Sequence, residues 1–169
     1  LCNALSKADY AVKTATSVED KIDSIQQQLD EVKEENKYLR KKITQQEDYS
    51  RKINLKFEGI PEAQEESDPA LLHEIYRVFR QMNIENPESI ILSNYHRIGQ
   101  KKANRRGVRT VLVKFISQKH RDLVWSKKKN LQGSNIFIKE HFSEVTEEAR
   151  RALYPYAKSA RILGEAHTM

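Results

Sequence analysis

Apolar residues recur at alternating spacings of three and four along the first fifty residues, which is the heptad pattern of a coiled coil. With Ile22 at an a position, the seam consists of Val18, Ile22, Ile25, Leu29, Val32, Asn36, Leu39 and Ile43. Isoleucine at both a and d favours a third strand over a two-stranded coil. The pattern therefore predicts a helix over residues 1–50 that forms a parallel homotrimer. The alternative is a single amphipathic helix that packs on its own domain.

Two further features of the coil are expected to fix the alignment of the helices. Lys42 at g and Glu47 at the following e have opposite charges, at the spacing that pairs neighbouring parallel helices. Asn36 is polar at an a position, which lowers stability but specifies the register. We therefore assign oligomerisation to the seam residues together with Lys42 and Glu47.

After the coil, short segments with an apolar period of two alternate with segments of helical period. Strands are predicted at residues 51–61, 90–98, 110–115 and 136–138, and helices begin at the Asp68-Pro69 cap and at Ser117. The order β-α-β-β-α-β over residues 51–142 predicts an α+β domain of the ferredoxin-like type. Because the strand pair is basic, it further suggests an RNA-recognition motif.

Several apolar residues of this domain are predicted to form its core. The buried face of the first helix comprises Leu71, Leu72, Ile75, Val78, Phe79 and Met82. Phe115, Trp125 and Phe137 are assigned to packing as well. Tyr154 and Tyr156 could stack on RNA or pack their helix, and packing is favoured because buried anchoring is the commoner use.

Positive charge is concentrated in the middle of the chain. Residues 51–142 hold 18 Lys and Arg against 10 Asp and Glu, and Arg97 to Lys129 holds twelve against one. Part of this charge lies in a predicted hairpin loop that contains Lys101, Lys102, Arg105 and Arg106. Such a field attracts polyanions, most commonly nucleic acid, with an ordinary solvated surface as the alternative.

The positions that carry base-stacking aromatic residues in an ordinary RNA-recognition motif hold other residue types here. They correspond to Lys56 on the first strand and to Thr110 and Leu112 on the third. We therefore expect weak base stacking and an affinity that depends on phosphate contacts, which do not read sequence.

Three stretches behind a coiled coil resemble the open-reading-frame-1 protein of LINE-1-type retrotransposons. They are Asn54 to Glu62, Arg109 to Phe115, and Phe142 to Arg151 followed by Pro155. The resemblance implies a homotrimer that binds single-stranded RNA, and also single-stranded DNA, through a non-standard RNA-recognition motif. It also implies nucleic-acid chaperone activity in ribonucleoprotein particles of the cytoplasm, with the nucleus left open.

The same resemblance implies which residues contact nucleic acid. By position they are Arg97, Arg109, and Arg150 or Arg151, and the basic coil-to-domain junction adds Arg51, Lys52 and Lys56. The segment 143–169 corresponds to the N-terminal helix of a truncated C-terminal domain, which agrees with a chain that lacks an initiating methionine and ends in mid-pattern.

No catalytic motif, metal-ligand spacing or signal-like apolar run is visible in the sequence. The five histidines are dispersed, and the single cysteine, Cys2, suits a reducing compartment. We therefore predict a protein that is not an enzyme, has no cofactor and does not enter a membrane. The main alternative function is a coiled-coil scaffold whose RNA-recognition-like domain binds protein partners.

Overall fold

The computed structural model describes the backbone of residues 2–100 and 108–162 and the side chains of residues 10–100 and 108–160. The chain forms two compact units, of which the first ends at Gln45 and the second begins at Gln46. The last turn of the predicted coil, up to residue 50, therefore belongs to the second unit, as does the segment that follows residue 142.

A single helix, α1, spans Cys2–Arg51, and its residues up to Gln45 belong to the first unit. Its seam side chains are exposed in the single chain, from 46% for Leu29 to 63% for Ile25. Inside the helix, the Asn36 side-chain amide donates a hydrogen bond to the Val32 carbonyl at 3.3 Å. The long N-terminal helix is thus confirmed, and its association with other copies stays a prediction.

The described part of the second unit contains four strands and three further helices. They are β1 (Asn54–Glu58), α2 (Asp68–Gln81), β2 (Leu92–Ile98), β3 (Thr110–Phe115), α3 (Gln118–Ser126), β4 (Phe137–Glu140) and α4 (Glu144–Ile162). Short 3-10 turns at Pro87–Ser89 and Lys128–Leu131 precede β2 and β4. The predicted α+β class and the β-α-β-β-α-β order are confirmed.

The four strands form one antiparallel sheet in the order β2-β3-β1-β4, so that β2 and β4 are its edges. Lys56, near the middle of β1, lies opposite Leu112 on β3 and Lys139 on β4. Its neighbours Leu55 and Phe57 are fully buried. Because side chains alternate along a strand, the sheet has one packed face and one open face, and Lys56 belongs to the open face.

Helices α2 and α3 supply the residues that cover the packed face. The Phe79 ring of α2 lies 6.0 Å from the ring of Phe57 on β1 and 6.3 Å from that of Phe115 on β3. Val124 of α3 belongs to the same buried cluster. The predicted face of α2 is confirmed, except that Leu72 is only half-buried.

Two details of the predicted elements are wrong. The residue that caps α2 is Ser67, whose hydroxyl accepts from the Ala70 amide, and Asp68 is already helical. Phe137 is not a core residue, because its side chain is 60% exposed on the open face of β4. Alternation explains the second error: with Ile136 buried and Ile138 packed on the core, the residue between them must face outward.

The turn after β1 depends on a glycine. Gly59 has a φ of +88°, and a Cβ there would lie 1.9 Å from the Asn135 carbonyl oxygen. Only glycine fits such a close approach with a positive φ. The turn places the carbonyl groups of Ile60 and Pro61 beside β2, where a buried arginine uses both of them.

Candidate nucleic-acid interface

Arg97, at the end of β2, is a buried hub rather than a surface cation. Its guanidinium donates to both Glu66 carboxylate oxygens at 2.7 Å. It also donates to the carbonyls of Ile60 at 2.9 Å, Pro61 at 2.5 Å and Arg109 at 2.9 Å. All five N–H donors of the guanidinium are therefore used. Since its side chain is only 2% exposed, this arrangement leaves no donor for a phosphate and corrects the prediction for Arg97.

Arg109 forms a second arginine–glutamate pair next to the first. Its guanidinium donates twice to Glu62 Oε1, at 2.8 and 2.6 Å, and its backbone N–H lies 3.2 Å from Glu62 Oε2. The hydrogen bonds from Arg109, with the charge of Arg97, outweigh desolvation and lower the pKa of Glu62. Arg109 is partly exposed, but its charge is already neutralised within the domain.

Lys56 lies on the open face as predicted, but it is also paired. Its Nζ lies 2.5 Å from Oε1 of Glu147 on α4, and the lysine side chain is largely buried. Burial opposes ionisation of Glu147, but the hydrogen bond and charge of Lys56 outweigh it and lower the pKa of the carboxyl group. A phosphate that reaches Lys56 must therefore compete with Glu147.

The predicted basic junction joins the end of α1 to the start of α4. Asp48 accepts from the Ser143 amide at 2.6 Å and from the Thr146 hydroxyl at 2.6 Å. Arg51 donates to the Phe142 carbonyl at 2.6 Å. It also pairs with Glu47 at 3.2 Å, so its charge supports the junction. Lys52 alone among the predicted junction cations is exposed and without a described partner.

Helix α4 carries two exposed arginines and two exposed tyrosines. The Arg150 guanidinium lies 4.5 Å from the centre of the Phe142 ring and 4.0 Å from a Glu140 oxygen. Arg151 is exposed, so both predicted arginines are accessible. Tyr154 and Tyr156 are also exposed, which contradicts the preference for packing.

Four exposed lysines that the sequence reasoning did not single out lie on β3, on α3 and beside the Lys128–Leu131 turn. We call them the free lysines: Lys114, Lys119, Lys127 and Lys129. Within the described residues, none of the four forms an ion pair with a carboxylate. The sequence does not distinguish them, because twelve cations lie between Arg97 and Lys129 and the ion-pair partner of each depends on the fold.

Two cations, Arg121 of α3 and Lys128 of the turn that follows it, contact the ring of Trp125. Lys128 Nζ lies 3.2 Å from the centre of the Trp125 ring, and the Arg121 guanidinium lies 5.0 Å from it. Burial lowers the pKa of Lys128. Arg121 also pairs with Glu140 at 2.5 Å. Trp125 is half-buried and packs against the core cluster, as predicted, while its ring also contacts the two cations.

The open face of the sheet has no aromatic residue at the described positions of β1 and β3, as predicted. Lys56, Thr110 and Leu112 occupy the positions named above, and Lys114 follows on β3. Phe137 on β4 is the exception, because it is an aromatic side chain on this face.

Four predicted cations lie outside the described residues: Lys101, Lys102, Arg105 and Arg106.

Among the described residues, no three His, Cys, Asp or Glu side chains are grouped so that they could hold a metal ion. No helix in the described ranges has the length and apolar content that crossing a membrane requires.

Comparison with known proteins adds no identification. No protein-family model matches the chain, and no curated protein sequence matches it.

Proposed function

We propose that this chain is a homotrimeric, largely sequence-independent binder of single-stranded RNA, and also of single-stranded DNA. We further propose that it acts as a nucleic-acid chaperone in the ribonucleoprotein particle of a LINE-type retrotransposon. The observation that carries the proposal is the set of free lysines, because these exposed charges have no described carboxylate partner.

The architecture of the second unit supports an RNA-recognition-motif domain. Its strands follow the order β2-β3-β1-β4, α2 and α3 cover one face, and Lys114, Phe137 and Lys139 are exposed on the other. This arrangement is the one expected of a split βαβ fold. RNA-recognition motifs bind single strands on such an open face, so the fold offers a surface of the right kind.

The chemistry of the free lysines supports binding that tolerates sequence. A lysine ammonium is a compact charge on a flexible stem, and it contacts a phosphate without fixing a base. The affinity should therefore come mainly from counterion release, which is independent of sequence. Contacts of this kind exchange rapidly, which is what a chaperone that rearranges strands requires.

The exposed seam of α1 supports a multimeric protein. Ile22 is 55% exposed and Ile25 is 63% exposed in the single chain, and both belong to the predicted trimer layer. Burying such a stripe between helices is the main driving force of a coiled coil. Three linked basic domains would bind one long strand with an avidity well above that of a single domain.

A scaffold that binds protein partners is the second candidate, and one observation favours it. The outer side of α4 exposes Val145, Leu153 and Tyr156, which lie three or four residues apart or at multiples of that spacing. An apolar helix face of this kind can contact a protein.

The test is a salt titration with two unrelated single-stranded RNA oligonucleotides of equal length, followed by fluorescence anisotropy. The proposal predicts similar affinities for both and a linear fall of log affinity with log salt, with a slope of about −0.7 per phosphate contacted. Sedimentation of the free protein should give three chains of 19.7 kDa each.

Absence of binding to both oligonucleotides at moderate salt would contradict RNA binding and favour the scaffold. A monomer at micromolar concentration would contradict the trimer alone. Binding of only one oligonucleotide would contradict sequence tolerance.

A further inference from the structure

Phe137 is an exposed aromatic side chain at the edge of the sheet. It is the first residue of β4, lies opposite Glu58 of β1 in the register, and is 60% exposed. Burying a phenylalanine stabilises a fold, and an exposed one forgoes much of this contribution. The exposed ring is therefore available to a ligand.

A groove of about 370 Å³ lies beside Phe137, between β4 and the Lys128–Leu131 turn. Its lining includes Lys128, Lys129 and Lys139 and no Asp or Glu. Lys139 pairs with Glu58 of β1 at 2.8 Å. Two of the three lysines therefore keep their charge free of a carboxylate, and the groove is positive with an aromatic wall.

Phe137 and Lys139 point to the same face of β4 because they are two residues apart. An aromatic ring next to lysine ammonium groups is the combination that holds unpaired nucleotides, since the base stacks on the ring while the phosphate meets the charge. A base inside a duplex is already stacked and cannot use such a ring.

We propose that Phe137, with Lys129 and Lys139, forms a stacking subsite for one unpaired nucleobase of a bound single strand. The subsite rests on the proposed nucleic-acid binding and adds to it a contact that distinguishes single strands from duplexes. It tolerates sequence, because every base has a flat π face. The aromatic contact therefore lies on an edge strand instead of on β1 and β3.

The experiment compares the full chain with Phe137→Ala, Phe137→Trp and Ile91→Ala. Ile91 is 54% exposed just before β2, at the opposite edge of the sheet, and serves as the matched control. The probe is a single-stranded oligoribonucleotide that contains 2-aminopurine, whose fluorescence falls when the base stacks. Anisotropy of an end-labelled copy gives the affinity, and the same measurements are repeated with a duplex.

The proposal predicts that Phe137→Ala weakens single-strand binding about tenfold, abolishes the 2-aminopurine quenching and leaves the salt slope unchanged. Phe137→Trp should keep both the affinity and the quenching, and Ile91→Ala should behave as the unaltered chain. Duplex binding should not change in any variant.

Equal affinity and quenching in Phe137→Ala and the unaltered chain would overturn the subsite while the proposed function stands. Failure of the unaltered chain to bind the single strand would overturn both. Loss of binding in Ile91→Ala as large as in Phe137→Ala would also overturn the subsite, because the effect would then not be local to β4.

Discussion

The second unit contains two groups of basic residues that use their charge in opposite ways. In the first, Arg97 and Arg109 are held by Glu66 and Glu62, and little of their charge reaches the solvent. In the second, the free lysines lie exposed on β3, on α3 and beside the Lys128–Leu131 turn. The difference shows that formal charge along a sequence overestimates the charge available to a ligand.

The chemistry of the two side chains explains this division. A guanidinium is planar, presents five donors in a fixed fork and is weakly hydrated, so it suits a buried site with several acceptors. An ammonium is strongly hydrated and is costly to bury, so the free lysines remain at the surface, whereas the largely buried Lys56 is paired with Glu147. Arg97 meets the first description in full, since carboxylate and carbonyl oxygens surround it.

The largest expected effect is the loss of stability on replacing Arg97. Arg97→Ala leaves the Glu66 carboxylate and several carbonyl groups without their donor, and removing one partner of a buried pair costs about 3–5 kcal/mol. Chemical denaturation measures the free energy of unfolding. Arg97→Lys should recover only part of the loss, since lysine has three donors in place of five.

Lys114→Ala is the matched control, because Lys114 is exposed and unpaired within the described residues. It should change the free energy of unfolding by less than about 0.5 kcal/mol. If Arg97→Ala were as stable as this control, Arg97 would not be the hub described above.

A smaller effect is expected from Glu62→Gln, and it depends on pH. The pKa of Glu62 is lowered in the folded protein from an ordinary value of 4.5. Its stabilising contribution is therefore present above pH 4.5 and is lost as the pH falls through the lowered pKa. The difference in unfolding free energy between the unaltered chain and Glu62→Gln should shrink as the pH falls below 4.5.

Denaturation at a series of pH values gives this difference directly. A difference that grows on acidification would mean that the sign of the Glu62 contribution is wrong. Glu65→Gln, which alters an exposed acid of the same loop, provides the comparison.

The smallest expected effect concerns Lys139, a lysine that is exposed but also paired with an acid. Lys139 pairs with Glu58 at 2.8 Å, and its side chain is mostly exposed. Exposed ion pairs contribute about 0.2–1 kcal/mol, so Glu58→Gln should tighten single-strand binding by about two- to threefold through release of Lys139. Anisotropy at low salt measures the change, and weaker binding in Glu58→Gln would contradict it.

Sequence patterns predicted the parts of the fold that depend on local periodicity. The face of α2 formed by Leu71, Ile75, Val78 and Phe79 followed from helical spacing, and all four are buried. The long N-terminal helix followed from the heptad pattern in the same way. These features need only the neighbours of a residue along the chain, which the sequence contains.

The partners of the arginines could not be predicted, because they depend on contacts between distant segments. Glu66 pairs with Arg97 across 31 positions, and Glu62 pairs with Arg109 across 47. Phe137, in contrast, could have been placed correctly, since strict alternation allows only two residues of Ile136-Phe137-Ile138 to face the core.

The contrast between paired arginines and free lysines is tested most directly by two variants that each lose three lysines, the first on the free lysines and the second on α1. The test variant changes Lys119, Lys127 and Lys129 to Gln. The control changes Lys13, Lys37 and Lys41, which lie at b or f positions of α1 away from the predicted seam. Both variants lose the same net charge, so a general effect of charge would alter them equally.

The measurement is the slope of log affinity against log salt for one single-stranded RNA oligonucleotide. We expect the test variant to lose about two units of slope, at about 0.7 per phosphate contact, and the control to keep the slope of the unaltered chain. Equal slopes in the test variant and the unaltered chain would contradict the claim that the free lysines hold the strand.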